Sequence, residues 1–122
     1  MVEFDSPTLA GDVERLSEPD IDKLGFGAIR LDDDGRVRFF SKAEARLSGY
    51  GDRPALGRVF FTEIAPCMDN AEFLGRVRAA QASGKLDLEF GWFGDFEDRN
   101  RHLQVRVLSA SAGGYWIFLK RD

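Results

Sequence analysis

The side chain in this sequence best suited to covalent chemistry is Cys67, the one cysteine in 122 residues. It follows Pro66 and closes the stretch Phe60-Phe61-Thr62-Glu63-Ile64-Ala65-Pro66-Cys67. A lone thiol reads in two ways. Free cysteine commonly behaves as a small buried hydrophobe, inert unless its pKa and exposure are tuned. Its sulfur also forms a stable thioester more readily than any other side chain, which makes Cys67 a candidate for covalent ligand attachment. A third role, enzymatic nucleophile, would need His102, the sole histidine, as base. His102 is out of phase with Leu103, Val105 and Val107 in an alternating segment, which directs it to a sheet face away from the thiol. Catalytic turnover is therefore not expected. Asp32, Asp33 and Asp34 stand together before Gly35 but lack calcium-loop spacing, so they read as a solvated hairpin turn and no metal site is expected.

These residues must be positioned by elements whose boundaries the sequence marks. Ser17-Glu18-Pro19-Asp20 opens a short helix in which Ile21 and Leu24 share a face. Residues 1–24 carry too little apolar surface to stand alone and read as a lid of helical turns packed on something else. Phe26 to Leu31 and Arg36 to Phe40 form a hairpin around Asp32-Asp33-Asp34-Gly35. Ser41 caps a two-turn helix, with Glu44 at its third position as the capping-box partner and Gly49 at its end. From the residues alone, Glu44 is a water-exposed capping carboxylate. Phe60 to Ile64 reads as a short apolar helix, and Glu72 to Ser83 as a longer one with Phe73, Leu74, Val77 and Ala80 inward. Three strands follow: Leu86 to Trp92, a segment around Leu103 to Val107, and Tyr115 to Lys120. This order gives an α+β fold.

Composition limits the function. With 43% hydrophobic and 31% charged residues, the chain is that of an ordinary globular protein long enough for one domain. A net charge of −4 and no basic stripe argue against a nucleic-acid partner. A single cysteine suits a reducing compartment and rules out an intramolecular disulfide. The acidic start Met1-Val2-Glu3-Phe4-Asp5 is unlike a signal peptide, and no apolar run approaches the roughly 20 residues that span a bilayer. A soluble, cytoplasmic protein without a membrane partner is expected, as a monomer or weak dimer.

Several of these motifs occur together and in register: Leu24-Gly25-Phe26-Gly27-Ala28-Ile29, Ala43-Glu44 through Ser48-Gly49, Phe60-Phe61, Ala65-Pro66-Cys67 and Tyr115-Trp116. In this they resemble the photoactive yellow protein family, blue-light receptors of the PAS class, from about Leu24 to Arg121. The resemblance implies a PAS fold: a five-stranded antiparallel sheet with helices on one face and an N-terminal helical lid. It treats 1–122 as a single PAS domain, with lid 1–24 and core 25–122. It implies p-coumaric (4-hydroxycinnamic) acid bound as a thioester to Cys67, in a site formed by Ile29, Phe40, Glu44, Ser48, Tyr50, Phe60, Ala65, Pro66, Trp92 and Phe96. In that family's scheme, Glu44 is a buried, protonated acid donating to a phenolate. Light then drives trans–cis isomerisation, proton transfer from Glu44 and partial unfolding, read by a downstream signalling protein. Three positions depart from the family: Phe40 replaces a tyrosine donor, Ser48 a threonine, and Tyr50 an arginine, so the fixed positive charge is expected to be missing. Trp92 is larger than the tyrosine it replaces, and Gly94 stands where a bulky aromatic usually packs. The alternative is a PAS sensor or interaction module without a photoactive chromophore.

Overall fold

The computed structural model describes residues 2–121. Five strands, β1 (Gly27–Leu31), β2 (Val37–Phe40), β3 (Asp87–Phe93), β4 (His102–Ser109) and β5 (Tyr115–Arg121), form one antiparallel sheet in the order β2-β1-β5-β4-β3. The β1–β2 hairpin turns where expected. Asp32 accepts from the amides of Asp34 and Arg36 and from Arg38 Nε, at 2.8–3.0 Å, so this carboxylate serves the turn itself. Gly114 at the β4–β5 turn has φ 71°, and a side chain there would overlap the Leu31 carbonyl. Only glycine allows that approach.

Strand alternation divides the core in two. Ile29 and Leu31 of β1, Leu103, Val105 and Val107 of β4, and Ile117 and Leu119 of β5 face one side. There they meet Phe60, Phe61, Ile64, Met68, Phe73 and Val77 from the helical half of the chain. Ala28, Leu108, Trp116 and Phe118 face the other side and meet Phe4, Leu9, Val13, Ile21 and Leu24. Central strand β5 is therefore buried on both faces, which its unbroken apolar run Tyr115-Trp116-Ile117-Phe118-Leu119 reflects.

The N-terminal lid comprises α1 (Leu9–Glu14) and α2 (Glu18–Ile21), the latter capped by Ser17 Oγ on the Asp20 amide. It lies on the sheet face opposite α3 (Lys42–Ser48) and α4 (Leu74–Ala82). Two short turns join α3 to α4: a π-helical turn at Phe60–Ile64 and a 3-10 turn at Pro66–Met68. The α4 helix begins later than the sequence pattern predicts. Asn70 Oδ1 accepts the Phe73 amide, and Asn70 Nδ2 donates to the Cys67 carbonyl, so the approach to α4 is tied to the cysteine turn.

Candidate functional site

Helix α3 brings Glu44 into the molecule. Ser41 Oγ accepts both the Glu44 amide of its own helix and the Ala28 amide of β1, fastening the helix start to the sheet. The capping-box expectation holds for that half only. Glu44 does not return to Ser41: its side chain is buried and turns toward β5. Gly27 makes this possible, because a methyl group at that position would overlap the Glu44 carboxylate. At the other end of α3, Gly49 adopts φ 83° and leaves room for Glu97, whose amide donates to the Ser48 carbonyl. This contact brings the β3–β4 connection, with Asp95 and Phe96, over the helix.

A narrow cleft results, with a cavity volume of about 30 Å³. Of the predicted site residues, Phe40, Glu44, Ser48, Tyr50, Phe60, Ala65, Cys67 and Phe96 line it together. Ile29, Pro66 and Trp92 do not. Ile29 is buried beneath the lining in the sheet, Pro66 opens the 3-10 turn, and Trp92 packs edge-on against Phe73 at 5.2 Å. Ile64, Met68, Asp95 and Leu119 complete the lining, and the sequence reading missed them. Asp95 lies on the connection between β3 and β4, yet it is buried.

The decisive partner is Arg121, at the end of β5. Its Nη1 donates to Glu44 Oε1 at 2.6 Å and its Nη2 to Glu44 Oε2 at 2.9 Å. The same guanidinium donates to Asp95 through Nε at 2.8 Å and Nη2 at 2.9 Å. Arg101 adds a second cation to Asp95 at 3.1 Å while also donating to the Leu47 carbonyl. Both Glu44 oxygens thus meet one guanidinium. One expectation is corrected: the site is not short of positive charge, despite Tyr50. Arg121 supplies it behind Glu44. Arg53, three residues past Tyr50, donates to the Tyr50 carbonyl at 2.7 Å and lies 4.9 Å from the centre of the Phe96 ring.

Burial drives the Glu44 pKa above the usual carboxyl range, and the Arg121 hydrogen bonds and charge pull against it. Burial would also raise Asp95, but Arg121, the Phe96 amide and Arg101 outweigh it and hold that carboxyl low. Cys67 is exposed as a residue, yet partial burial raises its thiol pKa and the Asp95 charge adds to the shift. The thiol therefore rests protonated, unlike an activated nucleophile. Tyr50 directs its hydroxyl to the Pro54 carbonyl at 2.7 Å, and Ser48 Oγ accepts the Tyr50 amide at 3.1 Å. His102 sits against Phe93, with ring centres 5.0 Å apart, on the sheet face that Leu103 does not share.

A slot walled by Phe40, Tyr50, Phe60 and Phe96, with a thiol at its open side and a charged cluster at its depth, suits a flat aromatic acyl group with a polar far end. The donor set fits such a group. Among the described residues, no cluster of His, Cys, Asp and Glu is placed to hold a metal, and no helix is long and apolar enough to cross a membrane.

Comparison with known proteins gives a consistent picture. A family model described as PAS fold matches residues 21–122. The photoactive yellow protein of Rhodothalassium salexigens is 35% identical over 99% of this chain and 98% of its own length. That of Rhodobacter capsulatus is 37% identical over 82% of each chain. Among solved structures, the photoactive yellow protein domain of the sensor histidine kinase Ppr from Rhodospirillum centenum superposes with a TM-score of 0.82. It is 35% identical and covers 91% of this chain and 98% of that domain. A PAS domain from Colwellia psychrerythraea, 15% identical with a TM-score of 0.63, shares the fold. Fold, pocket and sequence agree: the chain belongs to the photoactive yellow protein family of PAS-fold proteins.

Proposed function

We propose that this protein is a light sensor carrying p-coumaric acid as a thioester on Cys67. The observation that supports this best is the shared lining: the sole thiol, four aromatic rings and a buried carboxylate meet in one cleft. Attachment requires an activated p-coumaroyl donor, such as a thioester or anhydride. Cys67 Sγ, once deprotonated, forms the new sulfur–carbonyl bond as the donor's leaving group departs with the electron pair, and the thiol proton goes to that group or to solvent.

When bound, the group supplies the absorption band and a light-driven trans–cis isomerisation. The protein does the rest. Phe40, Tyr50, Phe60 and Phe96 exclude water and fix the plane of the slot, and Cys67 fixes its open end. Glu44 is the lining carboxylate whose oxygens can exchange a proton with a polar group at depth. A change in its charge unbalances the cluster with Arg121 and Asp95, and an unbalanced buried charge costs several kcal/mol. The fold then loosens at its weakest attachment, the lid of residues 2–24. The output is an altered surface, not a product. The histidine-kinase context of one relative supports a downstream signalling protein as reader.

One observation favours the second reading, a PAS interaction module without a photoactive group. Phe40 offers no hydroxyl, and the Tyr50 hydroxyl is already directed to Pro54. Incubation with a p-coumaroyl anhydride separates the two. The light-sensor reading expects a mass increase of one coumaroyl group, a new absorption band and loss of both in Cys67→Ala. No adduct on the folded native protein would leave the interaction module standing.

A further inference from the structure

A second pocket lies between the β1–β2 turn and α4, with a volume of about 200 Å³. We propose that it binds a short aliphatic zwitterion: a chain of a few methylenes with an ammonium at one end and a carboxylate at the other. The site is independent of the light-sensor reading, because none of the residues lining the cleft lines it.

The group that points to a ligand is the Tyr115 hydroxyl. Tyr115, the first residue of β5, reaches the pocket from the sheet. It is only 3% exposed, yet among the described residues its hydroxyl has no hydrogen-bond partner in the protein. Tyr50, the other tyrosine, does have one, the Pro54 carbonyl. Buried polar groups in folded proteins are nearly always paired, so a hydroxyl left open toward a pocket marks a place for a polar guest. Burial pushes the Tyr115 pKa up to about 12; Arg78 pulls it down, and Asp32 and Asp33 push it further up. The hydroxyl therefore keeps its proton and is available as a donor.

The charges around the pocket select the guest. Asp33 and Asp34 stand on the turn side, and Asp69 extends the acidic rim. Asp33 is fixed there, since its Oδ1 accepts the Gly114 amide at 3.2 Å. Arg78 stands on the α4 side, one turn beyond Leu74. The side chains of Asp34, Asp69 and Arg78 make no hydrogen bond or ion pair among the described residues. A simple cation would leave Arg78 unanswered, and a simple anion would face three carboxylates. A zwitterion answers both, its ammonium toward Asp33 and Asp34 and its carboxylate toward Arg78 and the Tyr115 hydroxyl. Val59, Phe61 and Leu74 add apolar lining for the methylenes between. A metal ion does not suit the site, because no cluster among the described residues is placed to hold one.

Calorimetric titration of the native protein with 4-aminobutanoate tests this, with butanoate and butylamine as single-charge controls. Saturable one-to-one binding is expected for the zwitterion. Each control should bind about tenfold more weakly or worse, the scale of one lost hydrogen bond to a charged group. Three variants assign the ends. Arg78→Gln is expected to weaken 4-aminobutanoate about tenfold without weakening butylamine. Asp34→Asn is expected to weaken 4-aminobutanoate without weakening butanoate. Tyr115→Phe keeps the ring and removes only the hydroxyl, so it should weaken both carboxylate probes and spare butylamine.

No saturable binding of 4-aminobutanoate at millimolar concentration overturns the proposal. A control that binds as tightly as the zwitterion overturns it too, since one charge would then suffice. Undiminished binding in both Tyr115→Phe and Arg78→Gln puts the ligand elsewhere and has the same result. Should Tyr115→Phe fail to fold, Arg78→Gln and Asp34→Asn still decide, because both side chains are exposed.

Discussion

The two faces of the sheet each bury an arginine, and the arginines are satisfied in different ways. On the cleft side, Arg121 meets two carboxylates through four hydrogen bonds. On the lid side, Arg106 of β4 donates from Nη1 to two backbone carbonyls, those of Phe4 and Ser6, each at 2.7 Å. Its Nε is buried without a partner among the described residues. One arginine is held by full charges and the other by dipoles. Beyond Arg106, the lid is held largely by the burial of Phe4, Leu9, Val13, Ile21 and Leu24. Under the light-sensor proposal, sensing and response would lie apart: the charged cluster is on one face and the lid on the other.

Breaking the stronger side should cost most. Arg121→Ala removes the partner of two buried acids, a class of change that typically costs about 3–5 kcal/mol. The loss should be largest at alkaline pH and shrink toward acid, because Glu44 can escape by protonating. Denaturant titrations at several pH values check this, and a loss independent of pH would show that the charges are not the cause. On the lid side, Arg106→Gln is expected to cost less, about 3 kcal/mol at most, on the scale of hydrogen bonds made by a charged donor. Its signature is spatial. Amide exchange should accelerate across residues 2–24 while β1, β4 and β5 stay protected. Uniform acceleration over the whole sheet would mean that Arg106 supports the core and not the lid.

The sequence makes the fold legible because local signals agree with one another. Ser41 and Gly49 bracket α3, the three aspartates and Gly35 turn the first hairpin, and alternation in Leu103, Val105 and Val107 assigns the inner face of β4. Much of the cleft is legible too, since Phe40, Glu44, Ser48 and Tyr50 sit within one short segment and fall to one side of it. What escapes is the cluster assembled from distant parts of the chain. Arg121 reaches Glu44 across 77 positions and Asp95 across 26. Only the strand register and the docking of the β3–β4 connection bring them together. Arg53 escaped for a different reason: a guanidinium supplied from a neighbouring position reads as a loss when residues are compared one by one. Glu44 itself satisfied a local rule, the capping box, that tertiary structure then overrode.

The smallest effect is also the cleanest test of how the lid is fastened. Glu14, the last residue of α1, accepts from the Trp116 indole Nε1 at 2.9 Å and from the Ser111 amide at 3.0 Å. Burial would raise its pKa, but these hydrogen bonds and the charge of Arg30 hold it below the ordinary value of 4.5. The sign follows from linkage: a carboxyl with a depressed folded-state pKa stabilises above its unfolded value, and the contribution is lost as pH falls through the folded one. Above about pH 4.5 the tether should therefore be intact, and below it the lid should loosen by about 1 kcal/mol, the scale of a partly exposed hydrogen-bonded group. Trp116 reports the change directly once the second indole is removed by Trp92→Phe. An acid step in Trp116 fluorescence is expected in that background, together with faster exchange in α1. In Glu14→Gln, where an acceptor remains but cannot titrate, the step should vanish while the neutral-pH spectrum stays nearly the same. A step that survives the substitution would assign the acid response elsewhere, with Asp95 on the cleft side the next group to examine, because its pKa is held low as well.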